Sequence, residues 1–216
     1  MKPHTVRRKS VRLDAIFATV LLLLVASAAH AQVWTETGDA GDLLATAQAT
    51  LGVGPLYSIN GSLASATDAD VYCVRLTSVP PAGLPLIQLQ CTVINGPNVW
   101  LLDATGKGVF TNQTCSGGNK TIFAPSVSLA TGTYYVAVSY SGFDPQSATG
   151  AMWIPLLAGQ RPPDGPGAAL PLASWAGNAM VQPINPYHLS LANMGYCAAA
   201  VPTLRSTWGA VKSHYR

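Results

Sequence analysis

Hydrophobic side chains recur at alternate positions in short runs, each closed by turn-forming residues. Tyr57, Ile59 and Leu63 alternate across Asn60-Gly61-Ser62, and Tyr72, Val74 and Leu76 alternate with Val71, Cys73 and Arg75. Ile87, Leu89, Cys91 and Val93 run up to Asn95-Gly96-Pro97; Val99 to Leu102 leads through the turn sequence Asp103-Ala104-Thr105-Gly106 to Val109-Phe110. Tyr134, Val136 and Val138 alternate after Thr131-Gly132, and Tyr187, Leu189 and Leu191 form the last run. Successive side chains of a strand point to opposite faces, so each run reads as a strand with one buried face. Several of them at this spacing predict an all-β fold in a single domain, a sandwich or a barrel. In this register Tyr72, Val74, Leu89, Leu101, Tyr134, Val136, Val138 and Leu189 point into the sandwich, while Arg75, Tyr135 and His188 point out. Trp100 lies opposite Val99 and Leu101 and is the tryptophan expected at the surface.

Two stretches break the pattern. Asp39 to Leu51 offers either about two turns of helix, with Asp42 as N-cap, or an extended lead-in. Pro155 to Pro186 holds seven prolines and four glycines in 32 residues. Proline removes a ladder donor, so the segment is expected to be a long loop and neither a central strand nor a helix. Long loops inside compact domains tend to be functional or disordered. This one carries Leu156, Leu157, Leu170, Leu172 and Trp175, which must either fold back on the sandwich, with Leu170, Leu172 and Trp175 covering one sheet edge, or lie exposed. Its Arg161 to Gly167 tip is the candidate recognition surface, so the partner-binding candidates are Trp100, Arg161 and Trp175.

Charge locates the chain. Of 12 Lys and Arg, five (Lys2, Arg7, Arg8, Lys9 and Arg12) precede an apolar run from Ala15 to Ala26, which is followed by Ala29-His30-Ala31. A basic start, an apolar core and small residues at the cleavage positions make residues 1–31 a signal peptide, with cleavage expected between Ala31 and Gln32. The apolar stretch is shorter than the roughly 20 residues a membrane-spanning helix needs. The remaining 185 residues carry 7 cations and 8 anions and contain no span-length apolar run. Nucleic acid and anionic lipid both call for clustered cations, so neither is an expected partner. The expected location is secreted or periplasmic, with residues 32–54 as a lead-in, 55–197 as the sandwich and 198–216 as a polar tail. Four cysteines, with no Cys-x-x-Cys spacing for zinc, read as two disulfides in an exported chain, with three pairings open. Cys91 and Cys115 flank the 99–110 hairpin and are the preferred pair, leaving Cys73 with Cys197.

Three motifs stand in one order: Asp68-Ala69-Asp70-Val71-Tyr72, Val99-Trp100-Leu101-Leu102-Asp103-Ala104-Thr105-Gly106, and Gly132-Thr133-Tyr134-Tyr135-Val136-Ala137-Val138. In this the chain resembles bacterial pre-peptidase C-terminal (PPC) domains over about residues 55 to 195. The resemblance implies a jelly-roll-like β-sandwich, an accessory module often attached to secreted proteases that aids solubility, secretion or attachment to polymers. Thr105 replaces a second Asp that many members carry in the turn, and the four cysteines are not a family requirement.

Candidate chemistry is sparse. Beyond the leader the histidines are His188 and His214; there is no Gly-x-Ser-x-Gly elbow, no His-Glu-x-x-His and no complete phosphate loop, and Glu36 is the one glutamate. No catalytic residue is therefore assigned, and the chain is read as not an enzyme. Asp68 and Asp70 could hold calcium, a hard cation that takes oxygen ligands, or could cap the turn before the Tyr72 strand. No other cofactor is expected. The function expected is that of a non-catalytic exported module that binds or supports an envelope polymer, a polysaccharide or a secreted protein. The alternative is a small secreted hydrolase whose site follows no familiar motif.

Overall fold

The computed structural model describes residues 32–91, 96–125, 129–178 and 186–198. The expected signal peptide (residues 1–31), most of the expected polar tail, residues 179–185 of the Pro-rich segment and Val93 lie outside the described residues. The described part contains strands, turns and bends but no helix, and it is an all-β sandwich. The first sheet has the order β1 (Val33–Thr35), β3 (Ser58–Gly61), β14 (Tyr187–Leu191), β5 (Pro85–Gln90), β8 (Asn119–Phe123). The second runs β12 (Gln160–Arg161), β7 (Gly108–Asn112), β6 (Asn98–Asp103), β9 (Gly132–Ser139), β4 (Ala69–Leu76), β15 (Met194–Tyr196), with β2 (Gln48–Ala49) also paired to β4. A third, small sheet is β11 (Gly150–Ala151), β10 (Phe143–Ser147), β13 (Leu172–Gly177). Pairing is antiparallel except where the lead-in joins: β1 with β3 and β2 with β4 are parallel.

The alternation works as expected on the inner faces. Ile59, Leu89, Ile122 and Leu189 of the first sheet meet Tyr72, Val74, Val99, Leu101, Val136 and Val138 of the second in one buried cluster. On the opposite face of the same central strands, Val71, Trp100, Leu102 and Ala137 form a second cluster with Met152, Trp153 and Leu172. The second sheet is thus buried on both sides, and β4 has a single exposed position, Arg75. Tyr57, expected inside, lies just before β3 and is exposed.

Local chemistry explains the connections. Asp103 Oδ1 accepts hydrogen bonds from the amides of Thr105 (2.8 Å) and Lys107 (3.1 Å), and Gly106 takes the left-handed φ of 86° that closes the β6–β7 hairpin. The 39–51 stretch is no helix: a turn closed by Thr46 N–H to Leu43 C=O precedes β2. The Pro-rich segment is no simple loop either, because it contributes β12 and β13. Both avoid its prolines, β13 starting directly after Pro171, and both sit at sheet edges, where unpaired backbone is tolerated. Disulfides join Cys91 to Cys115 and Cys73 to Cys197. By loop-closure entropy they stabilise the fold by about 3.5 and about 5 kcal/mol.

Candidate functional site

Five of the chain's carboxylates converge where the lead-in crosses the start of β4. Glu36 follows β1, Asp39 and Asp42 lie in the loop after it, and Asp68 and Asp70 enter β4. Carboxylate oxygens of Glu36, Asp39 and Asp70 lie within 4.8 Å of one another, as do those of Asp39, Asp42 and Asp68. Two oxygens bound to one calcium at about 2.4 Å can be no more than about 4.8 Å apart. Among the described residues the one ion pair is Arg161 with Asp164, so no lysine or arginine among them neutralises this group.

The inner acids are held rigidly. Glu36 accepts from the amides of Ala40 (3.1 Å) and Ser62 (2.7 Å), and Asp68 accepts from the amide of Ala64. Asp70 is fully buried; its Oδ2 accepts from the Tyr187 hydroxyl at 2.5 Å, and that hydroxyl lies 2.6 Å from the Tyr72 hydroxyl. Gly61 makes this tyrosine pair fit, since a Cβ there would stand 2.4 Å from both phenol oxygens. No N–H or O–H donor reaches the buried Asp70 Oδ1, and the Glu36 carboxyl beside Asp70 is the group with which it would share a proton. Burial above all, then the negative charges of Glu36, Asp68 and Asp39, push the Asp70 carboxyl up to about 8 against the pull of Tyr187. Burial also raises Glu36 and Asp68. A buried carboxylate among like charges is stable when it holds a proton or shares a cation. Each of the two groups offers three hard oxygen donors, with Asp39 in both, and hard oxygen donors suit calcium. Asp68 and Asp70, the acids singled out in the sequence, are therefore joined by Glu36, Asp39 and Asp42. The signal for these three is visible in retrospect: in an acid-poor chain, three acids fall within seven residues.

The partner-binding candidates fare differently. Trp100 points away from Val99 and Leu101 as expected, yet it is fully buried, because the 150–177 segment covers that face. Its indole donates to Ser139 Oγ at 2.9 Å and its ring lies 5.2 Å from that of Trp153. Arg161 is not at a free tip: it is 9% exposed in β12, its Nε donates to Asp164 at 2.8 Å, and its other nitrogens donate to the carbonyls of Leu157 and Ile154. Trp175 is half-buried against Trp100 and Phe143 and donates to the Asp42 carbonyl at 2.6 Å. Trp175 and Leu172 cover a sheet face, not an edge, and Leu170 stays exposed.

His188 lies on the outer face of β14 as expected, with unforeseen neighbours. Its Nδ1 is 2.6 Å from Asn60 Oδ1 and its Nε2 is 3.3 Å from Ser190 Oγ, the order of nucleophile, base and orienting group in hydrolases. Acyl transfer also needs converging donors for an oxyanion. Ser190 sits on a strand paired on both sides, opposite Ser58 and Gln88, so the surrounding backbone N–H groups are engaged in the ladders. The array is a polar row across a sheet face. Neither a family model nor a curated protein matches the chain.

Proposed function

We propose that this chain is an exported, non-catalytic β-sandwich that binds a partner outside the cytoplasm, an envelope polymer, a polysaccharide or a secreted protein, and that it holds calcium between its lead-in and β4. The observation that carries the calcium reading is the pair of carboxylate groups, Glu36 with Asp39 and Asp70 and Asp39 with Asp42 and Asp68, the first of which includes the fully buried Asp70. Calcium there would tie the lead-in to the sandwich, with Asp39 common to both carboxylate groups. Two disulfides suit an oxidising compartment, and among the described residues no helix is long and apolar enough to cross a membrane. The resemblance of the three motifs to those of PPC domains supports the reading as an accessory module with jelly-roll-like connections. The ladder-engaged surroundings of Ser190 speak against hydrolysis.

Thermal melts of the purified mature chain with calcium and with chelator test the metal. Calcium should raise the melting temperature through binding linkage, and Asp70→Asn with Asp39→Asn should remove that rise while the doubly substituted chain still folds in chelator. Identical melts with and without calcium would refute it. Co-sedimentation with insoluble envelope and polysaccharide fractions tests the module, and absence of retention on every fraction would count against it.

A further inference from the structure

A groove of about 430 Å3 opens at the far end of β4, with Gly52, Gly54, Thr131 and Tyr196 among its lining residues. This falls within the roughly 300–1,000 Å3 typical of small-ligand sites. Arg75, the one exposed residue of β4, reaches into it. The cross-strand neighbours of Arg75 are Thr133 and Gly195, and Gly195 has no side chain to cover the arginine. The guanidinium makes no ion pair or side-chain hydrogen bond among the described residues and is free to take an anion. Tyr196 supplies an aromatic wall: its ring lies flush on Gly52, where a Cβ would stand 2.6 Å from the ring carbons. Thr131 adds an exposed side chain, while the Thr77 hydroxyl donates to the Asn193 carbonyl at 2.8 Å and fixes that side of the groove.

The walls are fastened in several ways. The Cys73–Cys197 disulfide joins β4 to the residue after Tyr196. Buried Thr50 donates its hydroxyl to the Cys73 carbonyl (2.8 Å) and accepts from the Cys197 amide (3.0 Å), while the Gly52 amide donates to the Ala198 carbonyl (3.0 Å). A site held in place before the ligand arrives loses less ordering entropy on binding.

From these features we infer that the groove binds a carboxylate-bearing sugar unit of an acidic polysaccharide. Arginine matches a carboxylate with two parallel hydrogen bonds. The tyrosine ring offers an amphipathic face to the sugar's C–H groups. The Thr131 hydroxyl suits a sugar hydroxyl. A peptide side chain would call for a more apolar lining, and Leu76 is the one aliphatic residue there. The inference rests on the reading of the chain as an exported binding module and names the ligand class for it.

Calorimetric titration of the mature protein with tetragalacturonate, calcium held constant, is the test. Binding should weaken as salt is added and vanish for the methyl-esterified tetramer, which keeps the sugar and lacks the charge. Arg75→Gln should weaken binding at least about tenfold, the scale of losing a hydrogen-bonded charge pair. Arg75→Lys should fall between, and neither variant should shift the melting temperature, since the side chain is exposed. Equal affinity of the wild type and Arg75→Gln, equal affinity for the ester, or no binding of the acid would each overturn the assignment. The same preparation's retention on envelope fractions then separates loss of the uronate assignment from loss of the module reading.

Discussion

Lys120 is a buried amine with no counter-ion among the described residues, and its effect on stability should be measurable as a pH dependence. It stands in β8 opposite Leu89, fully buried, with its Nζ donating to the Gly96 carbonyl (2.8 Å) and to Asn98 Oδ1 (2.6 Å). Burial pushes the amine down to about 8 from its ordinary value of 10.5. Between those values the unfolded chain binds a proton that the folded chain does not, so stability rises with pH in this window. Below about pH 8 the full cost of burying the charge is present, on the order of 3 kcal/mol from the width of the window. Raising the pH from about 7 to about 9.5 should recover about 2 kcal/mol of it. Lys120→Met removes the titration but leaves two oxygens without a donor, at about 1–3 kcal/mol each, so its net effect at neutral pH is a small difference of large terms. The pH slope is the cleaner readout. Urea unfolding of both proteins at the two pH values should show the wild type gaining about 2 kcal/mol relative to the variant. No free cysteine is present to reshuffle the disulfides at the higher pH. Parallel behaviour of the two proteins would show that the amine is hydrated or paired in the folded state, and Lys120 would then carry no burial cost.

Trp153→Ala should cost about 3–5 kcal/mol in chemical unfolding, because Trp153 is fully buried against Trp100 between the second and third sheets; a loss below about 1 kcal/mol would mean that the third layer is not packed. Arg161→Ala should lower the melting temperature by removing the clamp on Asp164, Leu157 and Ile154, whereas a free recognition tip would leave the melt unchanged. His188→Ala should leave folding intact and abolish no activity; loss of a measured ester hydrolysis in that variant would establish the Ser190–His188–Asn60 row as a catalytic site.

What the sequence disclosed, and what it hid, follows from the range of each interaction. Alternation reports which of two directions a side chain takes, and it placed Tyr72, Val136 and Leu189 inside because one face of each strand meets the other sheet. The same alternation turned Trp100 to the opposite face, where only the return of the 150–177 segment decides between burial and exposure. That segment was hard to read because its prolines lie between the short strands β12 and β13. The carboxylate group was half legible for a similar reason: Asp68-Ala69-Asp70 is local, but its junction with Glu36, Asp39 and Asp42 depends on the parallel docking of β1 and β2, which no periodicity announces.

β4 connects the two proposed sites and also keeps them independent. Its inward-facing Asp70 enters the carboxylate group at one end, and its outward-facing Arg75 enters the groove at the other. Five residues of extended chain separate them by about 17 Å, about twice the Debye length of about 8 Å at physiological salt. Direct attraction between a cation in the first site and an anion in the second is therefore screened. Coupling would have to pass through the strand itself, which is paired to β9 over its whole length and buried at every position but Arg75. A strand held in this way has no second arrangement to adopt, and without one there is no element for either ligand to bias. Calcium should therefore change the stability of the chain without changing the intrinsic affinity of the groove, and titrations of the two sites should be additive. A uronate affinity that fell more than about tenfold in chelator, with the protein still folded, would show that the lead-in or β15 has a second position.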